Sequence, residues 1–208
     1  MLGGRTLRDA IRADDGPVPS AESIIAMLDR LPHDLAVGPR CSSWLDRVGH
    51  YATIVGGIVL EHAERVSRIA ESISQEAGVG PTVAVHGDFY ESQMMVHRES
   101  ITGLLDIDTA GLGDRLDDLG CLLGHLTVLA HTDRHRTRQI NAIGASYLAS
   151  FERTVDPADL RYRTAAVVVS LVAGPHRVRQ PNWTETTPRL IDLAARWRDS
   201  ARRARRRG

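Results

Sequence analysis

The chain has 208 residues, 42% hydrophobic and 25% charged, with a formal net charge of zero. That is long enough for one substantial core or one lobe of a larger enzyme. Charge balance removes any global electrostatic argument for a nucleic-acid or membrane partner, and no apolar run reaches a membrane-spanning length. Every basic residue is arginine and the sequence contains no lysine. The two cysteines, Cys41 and Cys121, lie far apart in apolar surroundings. They read as buried thiols in a reducing compartment, not as a disulfide framework or zinc site. The N-terminus lacks the apolar segment of a signal peptide, so the expected location is cytoplasmic.

In chain order, residues 5–13 predict a short helix that stops at Asp14–Pro17. Ser20 is placed to cap a helix over 21–31, with Ile24, Ile25, Leu28 and Leu31 on one face. Pro32 and the Gly38–Pro39 pair break it. Helical patterns follow over 42–55 and 58–77, split near Gly56 and Gly57. Three short β-like runs come next, at 82–85, 94–97 and 102–107, the last two joined by a hairpin around Glu99 and Ser100. After Asp114 the pattern returns to helix, over about 116–131, 134–153, 157–173 and 186–204. Pro157 and Pro188 are both read as first-turn prolines, and AAVVVSLVA at 165–173 as a buried helix. The fold class is therefore mostly α with a small β insert.

The insert carries the chemistry. HGDFYESQ at 86–93 is followed by LLDIDTAGLGD at 104–114. Asp88 follows a strand and a glycine, from where a carboxylate can face a cleft and take a proton from an acceptor hydroxyl. Gln93 offers a neutral oxygen and Asp106 an anionic one, and hard Mg²⁺ prefers oxygen ligands. Asp108, two residues on, would share a strand face with Asp106 and add an outer or second-metal contact. His86 is read as bracing the loop by hydrogen bonding. Asp117 and Asp133 could attract a cationic acceptor, although ordinary surface charge is the simpler reading. The arginines at 202–207 read as a solvated helix end that favours the macrodipole.

Asp106-Ile107-Asp108-Thr109 also invites comparison with haloacid dehalogenases, whose strand-end aspartate is phosphorylated. Thr109 falls one place early for that pattern, and the chain lacks the repeated βα alternation.

The whole stretch resembles the aminoglycoside phosphotransferase and choline kinase group of kinase-like enzymes. HGDFYESQ is similar to their catalytic loop, His-Gly-Asp with an Asn five residues after the Asp. LLDIDTAGLGDRLDDLG at 104–120 is similar to their metal-binding segment. The resemblance implies that Asp88 is the catalytic base and Asp106 a metal ligand. Gln93 would be a metal ligand in place of the usual Asn, as in maltokinase-like members. Gly111, Gly113, Asp114 and Asp118 would shape the segment and tie it to the next helix. It further implies Mg²⁺, ATP or GTP as phosphoryl donor, and a small-molecule alcohol as acceptor.

The fold implied is a protein-kinase-like C-terminal lobe without the N-terminal nucleotide lobe. Residues 1–13 would be the segment after the inter-lobe hinge, 82–120 the catalytic and metal-binding insert, and 121–208 a helical substrate subdomain. The family's phosphate-holding lysine has no match. A lobe supplied in trans, self-association, or a non-catalytic binding module derived from the lobe are the corresponding expectations.

Overall fold

The computed structural model describes residues 4–14, 16–32, 34–35 and 40–207. Nine α-helices and five short strands are seen among them. A three-stranded antiparallel sheet has the order β1 (Arg5–Thr6), β3 (Met94–His97), β4 (Ser100–Leu104). A second sheet pairs β2 (Thr82–Val85) antiparallel with β5 (Gly111–Asp114), Val85 opposite Gly111.

The helices are α1 (Leu7–Ala13), α2 (Ala21–Leu28), α3 (Trp44–Ile58), α4 (Ala63–Glu76), α5 (Arg115–Thr132), α6 (Thr137–Phe151), α7 (Pro157–Leu171), α8 (Gly174–Arg177) and α9 (Trp183–Arg205). No described helix is long and apolar enough to cross a membrane.

Two apolar cores hold these elements. One joins α3, α4, α7 and α9 through residues such as Val48, Ile69, Ile73, Val168 and Leu190. The other joins α1, α2, α5 and α6 to the underside of the 86–93 loop through Leu7, Ile24, Phe89, Met94, Leu122 and Phe151. Each such side chain, fully withdrawn from water, stabilises the fold by about 1.5–3 kcal/mol before entropy is counted. Phe89 is completely buried directly after Asp88, so the second core fixes the 86–93 loop from beneath.

Several expectations need correction. Arg5 and Thr6 form a strand against Val96 and Met95, so the first helix starts at Leu7, with Thr6 as its N-cap. The helix capped by Ser20 ends at Leu28. Gly56 and Gly57 do not break α3, which runs to Ile58. A Cβ at Gly56 would lie 3.1 Å from that of Ala63, so this glycine serves the approach of α4. The third β run begins earlier, and the hairpin loop is Arg98–Glu99, with Arg98 at φ 54° and Ser100 already paired to His97. β5 was not expected, because Gly-Leu-Gly-Asp has little intrinsic strand preference; pairing with β2 imposes it. Pro188 lies inside α9. A division between residues 120 and 121 would fall within α5, which is continuous. Gly38 and Pro39 lie outside the described residues.

The basic tail is not simply solvated. Arg202 is paired to Glu76 and hydrogen-bonds Ser72, and Arg205 is paired to Asp159. Tyr162 also donates to Glu76 at 2.6 Å. These contacts tie the end of α9 to α4 and α7. Cys41 is half-buried, not buried, and its thiol donates to the Thr109 carbonyl at 3.1 Å.

Candidate active site

β2 delivers the chain into a tight turn, His86-Gly87-Asp88. Gly87 has φ 84°, and a Cβ there would sit 2.4 Å from the Thr109 carbonyl oxygen. Only glycine takes that conformation without strain. The turn is clamped from behind by Asp118 in the first turn of α5. Its two carboxylate oxygens accept the backbone N–H groups of His86 and Gly87 at 2.8 and 2.9 Å. Asp118 is fully buried. Burial raises its pKa, and the two amide donors and Arg115 oppose that rise.

His86 is also fully buried. Its Nε2 lies 2.8 Å from the Leu105 carbonyl. A carbonyl only accepts, so Nε2 carries the proton. The Leu105 amide in turn donates to the Gln93 carbonyl at 2.8 Å. Leu105 is therefore held from both sides, and the next residue, Asp106, is fixed in the left-handed region at φ 54°, ψ 53°. For a non-glycine residue this costs about 1–2 kcal/mol. The strained turn projects the Asp106 side chain to the surface, where Gln93 Nε2 donates to its Oδ2 at 3.2 Å.

The turn brings Asp88 near the same place. The Asp88 pKa is raised, first by burial, with Asp106 adding to the rise and His86 and Cys121 opposing it. A carboxylate with a raised pKa is a stronger proton acceptor. So Asp88, Gln93 and Asp106 converge, with His86 bracing Leu105 behind them.

Asp108 does not share a strand face with Asp106. β4 stops at Leu104, and residues Ile107–Thr109 form a 3₁₀ turn in which Asp108 is exposed. Asp114 lies apart from the acidic cluster. It caps α5 through the Leu116 amide, accepts from the Gly80 amide at 2.7 Å and pairs with Arg163 at 2.9 Å. Asp117 is neither surface charge nor a cleft residue. It is buried and accepts from the Ser43 hydroxyl and the Trp44 amide, linking α5 to the start of α3.

Sequence reasoning missed three residues here. Arg163, 1% exposed, ties α7 to Asp114, Asp117 and the Gly78 carbonyl. Its only signal was an arginine just before the apolar run Ala165–Val169 of that helix. Cys121 and His125 stand one turn apart on α5, and their ligating atoms and those of Asp88 all lie within 4.8 Å of one another. Tyr90 stacks on the His125 ring at 4.1 Å. The i, i+4 spacing directly after the acidic segment was visible, but only the fold shows that it faces Asp88.

A cleft of about 250 Å³ opens beside His125, between α1, the end of α5 and the loop after α8. A larger cleft, about 550 Å³, lies along Gly4, Arg5 and the β3–β4 turn and is lined by none of Asp88, Gln93 and Asp106.

Residues 22–163 match the family model of the phosphotransferase enzyme family (APH). The chain belongs to that family. Comparison with curated protein sequences gives no match. Among solved structures, the chain is similar to a Ralstonia eutropha JMP134 protein named as a candidate aminoglycoside phosphotransferase, with 16% identity and TM-score 0.58 over 98% of this chain and 71% of that one. It is also similar to aminoglycoside 2'-phosphotransferase-IIIa, solved with GDP, with 16% identity and TM-score 0.56 over 93% and 68%. A thermostable mutant of aminoglycoside phosphotransferase APH(4)-Ia, solved with AMP-PNP and hygromycin B, gives 13% identity and TM-score 0.59 over 95% and 70%. At these identities the likeness establishes the fold, which is kinase-like and mostly helical with few strands. In this phosphotransferase fold the His86–Asp88 turn and the Asp106 turn face one another across Leu105.

Proposed function

We propose that this chain carries the acceptor and metal sites of a kinase that moves the γ-phosphoryl group of ATP or GTP to a small-molecule alcohol. The observation that supports it best is the convergence of Asp88, Gln93 and Asp106 on two turns, one clamped by Asp118 and the other by His86. In this reading the acceptor oxygen bonds to the γ-phosphorus and the bond to the β-phosphate oxygen breaks. The nucleoside diphosphate leaves, and Asp88 receives the hydroxyl proton.

Gln93 and Asp106 fit a hard divalent cation. Their side chains meet at 3.2 Å through the Gln93 Nε2, so a cation there would take the exposed Asp106 carboxylate and the Gln93 Oε1 with the amide turned over. Mg²⁺ held there would offset phosphate charge. The protein's own part is to fix the turn, orient the hydroxyl and hold its proton.

The sequence has no lysine to grip the phosphates. This chemistry is largely positioning and electrostatics, so residues 1–208 alone are expected to transfer phosphate slowly. In this reading a nucleotide-covering lobe from another chain, or a second copy, raises the rate. The same absence favours a second reading, a small-molecule-binding or partner-binding module without catalysis.

The test is Mg²⁺-dependent transfer from γ-labelled ATP to a panel of alcohols, comparing the chain with Asp88→Asn. The kinase reading expects the variant to be slower by about 10²–10⁴-fold. Equal rates in the two proteins would reject it and leave the binding module.

A further inference from the structure

The cleft beside His125, whose ring lies between it and Asp88, has a chemical character that the family name does not convey. It is bounded on one side by α1, where Arg8 and Arg12 stand one helical turn apart and line it together. The opposite wall is apolar: Leu129 of α5, Leu171 of α7, Pro175, and Val178, which is 62% exposed. His125 forms the inner edge, and a nitrogen of its ring lies within 4.8 Å of the Asp88 carboxylate. None of the described lining residues is Asp or Glu.

The nearby carboxylates are turned to other work. Glu91 is fully buried and receives the Arg8 guanidinium at 2.6–2.8 Å, all on one oxygen. Asp133 approaches Arg12 only at 4.0 Å, and the Arg12 side chain is 52% exposed. The described lining of the cleft is therefore N–H donors and hydrocarbon, with the nearest carboxylates, Glu91 and Asp133, on the two arginines.

We propose that the acceptor site takes a small anionic alcohol: a hydroxyl compound bearing a carboxylate or phosphate beside an apolar group, and not a polycation. The inference rests on the reading of Asp88 as the base, which makes this cleft the acceptor side. Arginine is suited to the anion because its planar fork pairs bidentately with carboxylate or phosphate oxygens. The apolar wall takes the hydrocarbon part, and Val178 becomes covered. A polyamine sugar placed there would bring ammonium groups against two guanidinium groups and find no carboxylate partner on the walls, an arrangement that opposes binding. The volume also suits a small ligand.

All the lining residues belong to the described helical lobe, so binding is testable on the 208-residue chain without any nucleotide. The probes are 4-(hydroxymethyl)benzoate, its neutral amide, and hygromycin B as the polycation. Amide chemical shifts of Leu129, Leu171 and Val178 report occupancy.

The carboxylate is expected to move these signals and to bind about tenfold more tightly than the amide, the effect of one charge-assisted hydrogen bond. Arg12→Gln, at an exposed position, should erase that tenfold preference. Hygromycin B moving the same signals at lower concentration, or the carboxylate moving none at millimolar concentration, overturns the proposal.

Phosphoryl transfer is scored separately with Asp88→Asn. Anion binding without any Asp88-dependent transfer rejects the kinase reading, and with it the acceptor role of the cleft, while the preference of the cleft for an anion stands. Asp88-dependent transfer to hygromycin B does the reverse.

Discussion

Asp118 and Gly87 are 31 residues apart in sequence and 2.9 Å apart in the fold, carboxylate oxygen to amide nitrogen. The other Asp118 oxygen takes the His86 amide. One buried side chain thus sets the turn on which Asp88 sits, and α5 becomes a rigid backing for the 86–93 loop.

Asp118→Ala should be among the most damaging substitutions in the chain. It strands two backbone N–H groups, one fully buried, and takes from Arg115 its buried carboxylate. A loss on the order of 3–5 kcal/mol is expected. Urea unfolding checks it, and a variant within 1 kcal/mol of the parent would contradict this role.

Gly87→Ala tests the turn itself. The new Cβ meets the Thr109 carbonyl at 2.4 Å and the residue must hold φ 84°. About 2–4 kcal/mol should be lost, with the Thr109 amide signal shifted. Gly144, where a Cβ meets open space, is the control: Gly144→Ala in the middle of α6 should be neutral or stabilise by up to about 1 kcal/mol.

Asp117 gives a pH signature. Burial pushes its pKa up to about 6, against the opposing pull of Arg163 and the Ser43 and Trp44 donors. A folded-state pKa above the unfolded value means stability that is present below about pH 4 and lost as pH rises through 6. Asp117→Asn does not titrate. Between pH 4.5 and 7.5 the variant should therefore gain on the parent, on the order of 2 kcal/mol. Thermal melts at several pH values check the sign; a parent that gains on the variant over this range contradicts it.

His125 should stay neutral where an ordinary histidine titrates. Burial, aided by Arg8, lowers its pKa to about 3. Its ring resonances should be flat from pH 7.5 to 5. Because the folded pKa lies below the unfolded one, its contribution to stability is lost as pH falls below about 6.5. A ring titration near pH 6 would show that the Tyr90 stack is open in solution.

Much of the site was legible because it is local. His86, Asp88, Gln93, Asp106 and Asp114 lie within one short stretch, and their spacing alone suggested metal and base chemistry. Helix identity was legible where apolar periodicity was long, as in α3 through α7. Misreadings came where a distant partner decides. Arg5–Thr6 becomes a strand only because Val96 and Met95 lie alongside. Asp108 leaves the face of Asp106 because His86 and Gln93 pin Leu105 and force a left-handed residue next to it.

The sequence by itself determined the fold class and the run of residues that carries the acidic site, since both follow from short-range pattern and residue chemistry. Only the tertiary structure decided which carboxylates are available. Asp114, Asp117 and Asp118 are consumed by Arg163, by the Ser43 cap and by the His86–Gly87 amides. Asp106 is left exposed, and Asp88 is left half-buried beside Cys121 and His125. It also decided the character of the neighbouring cleft, where α1 brings Arg8 and Arg12 against the far end of α5. The physical reason is the same in each case. A buried charge must find partners, and those partners come from elements that only packing brings together.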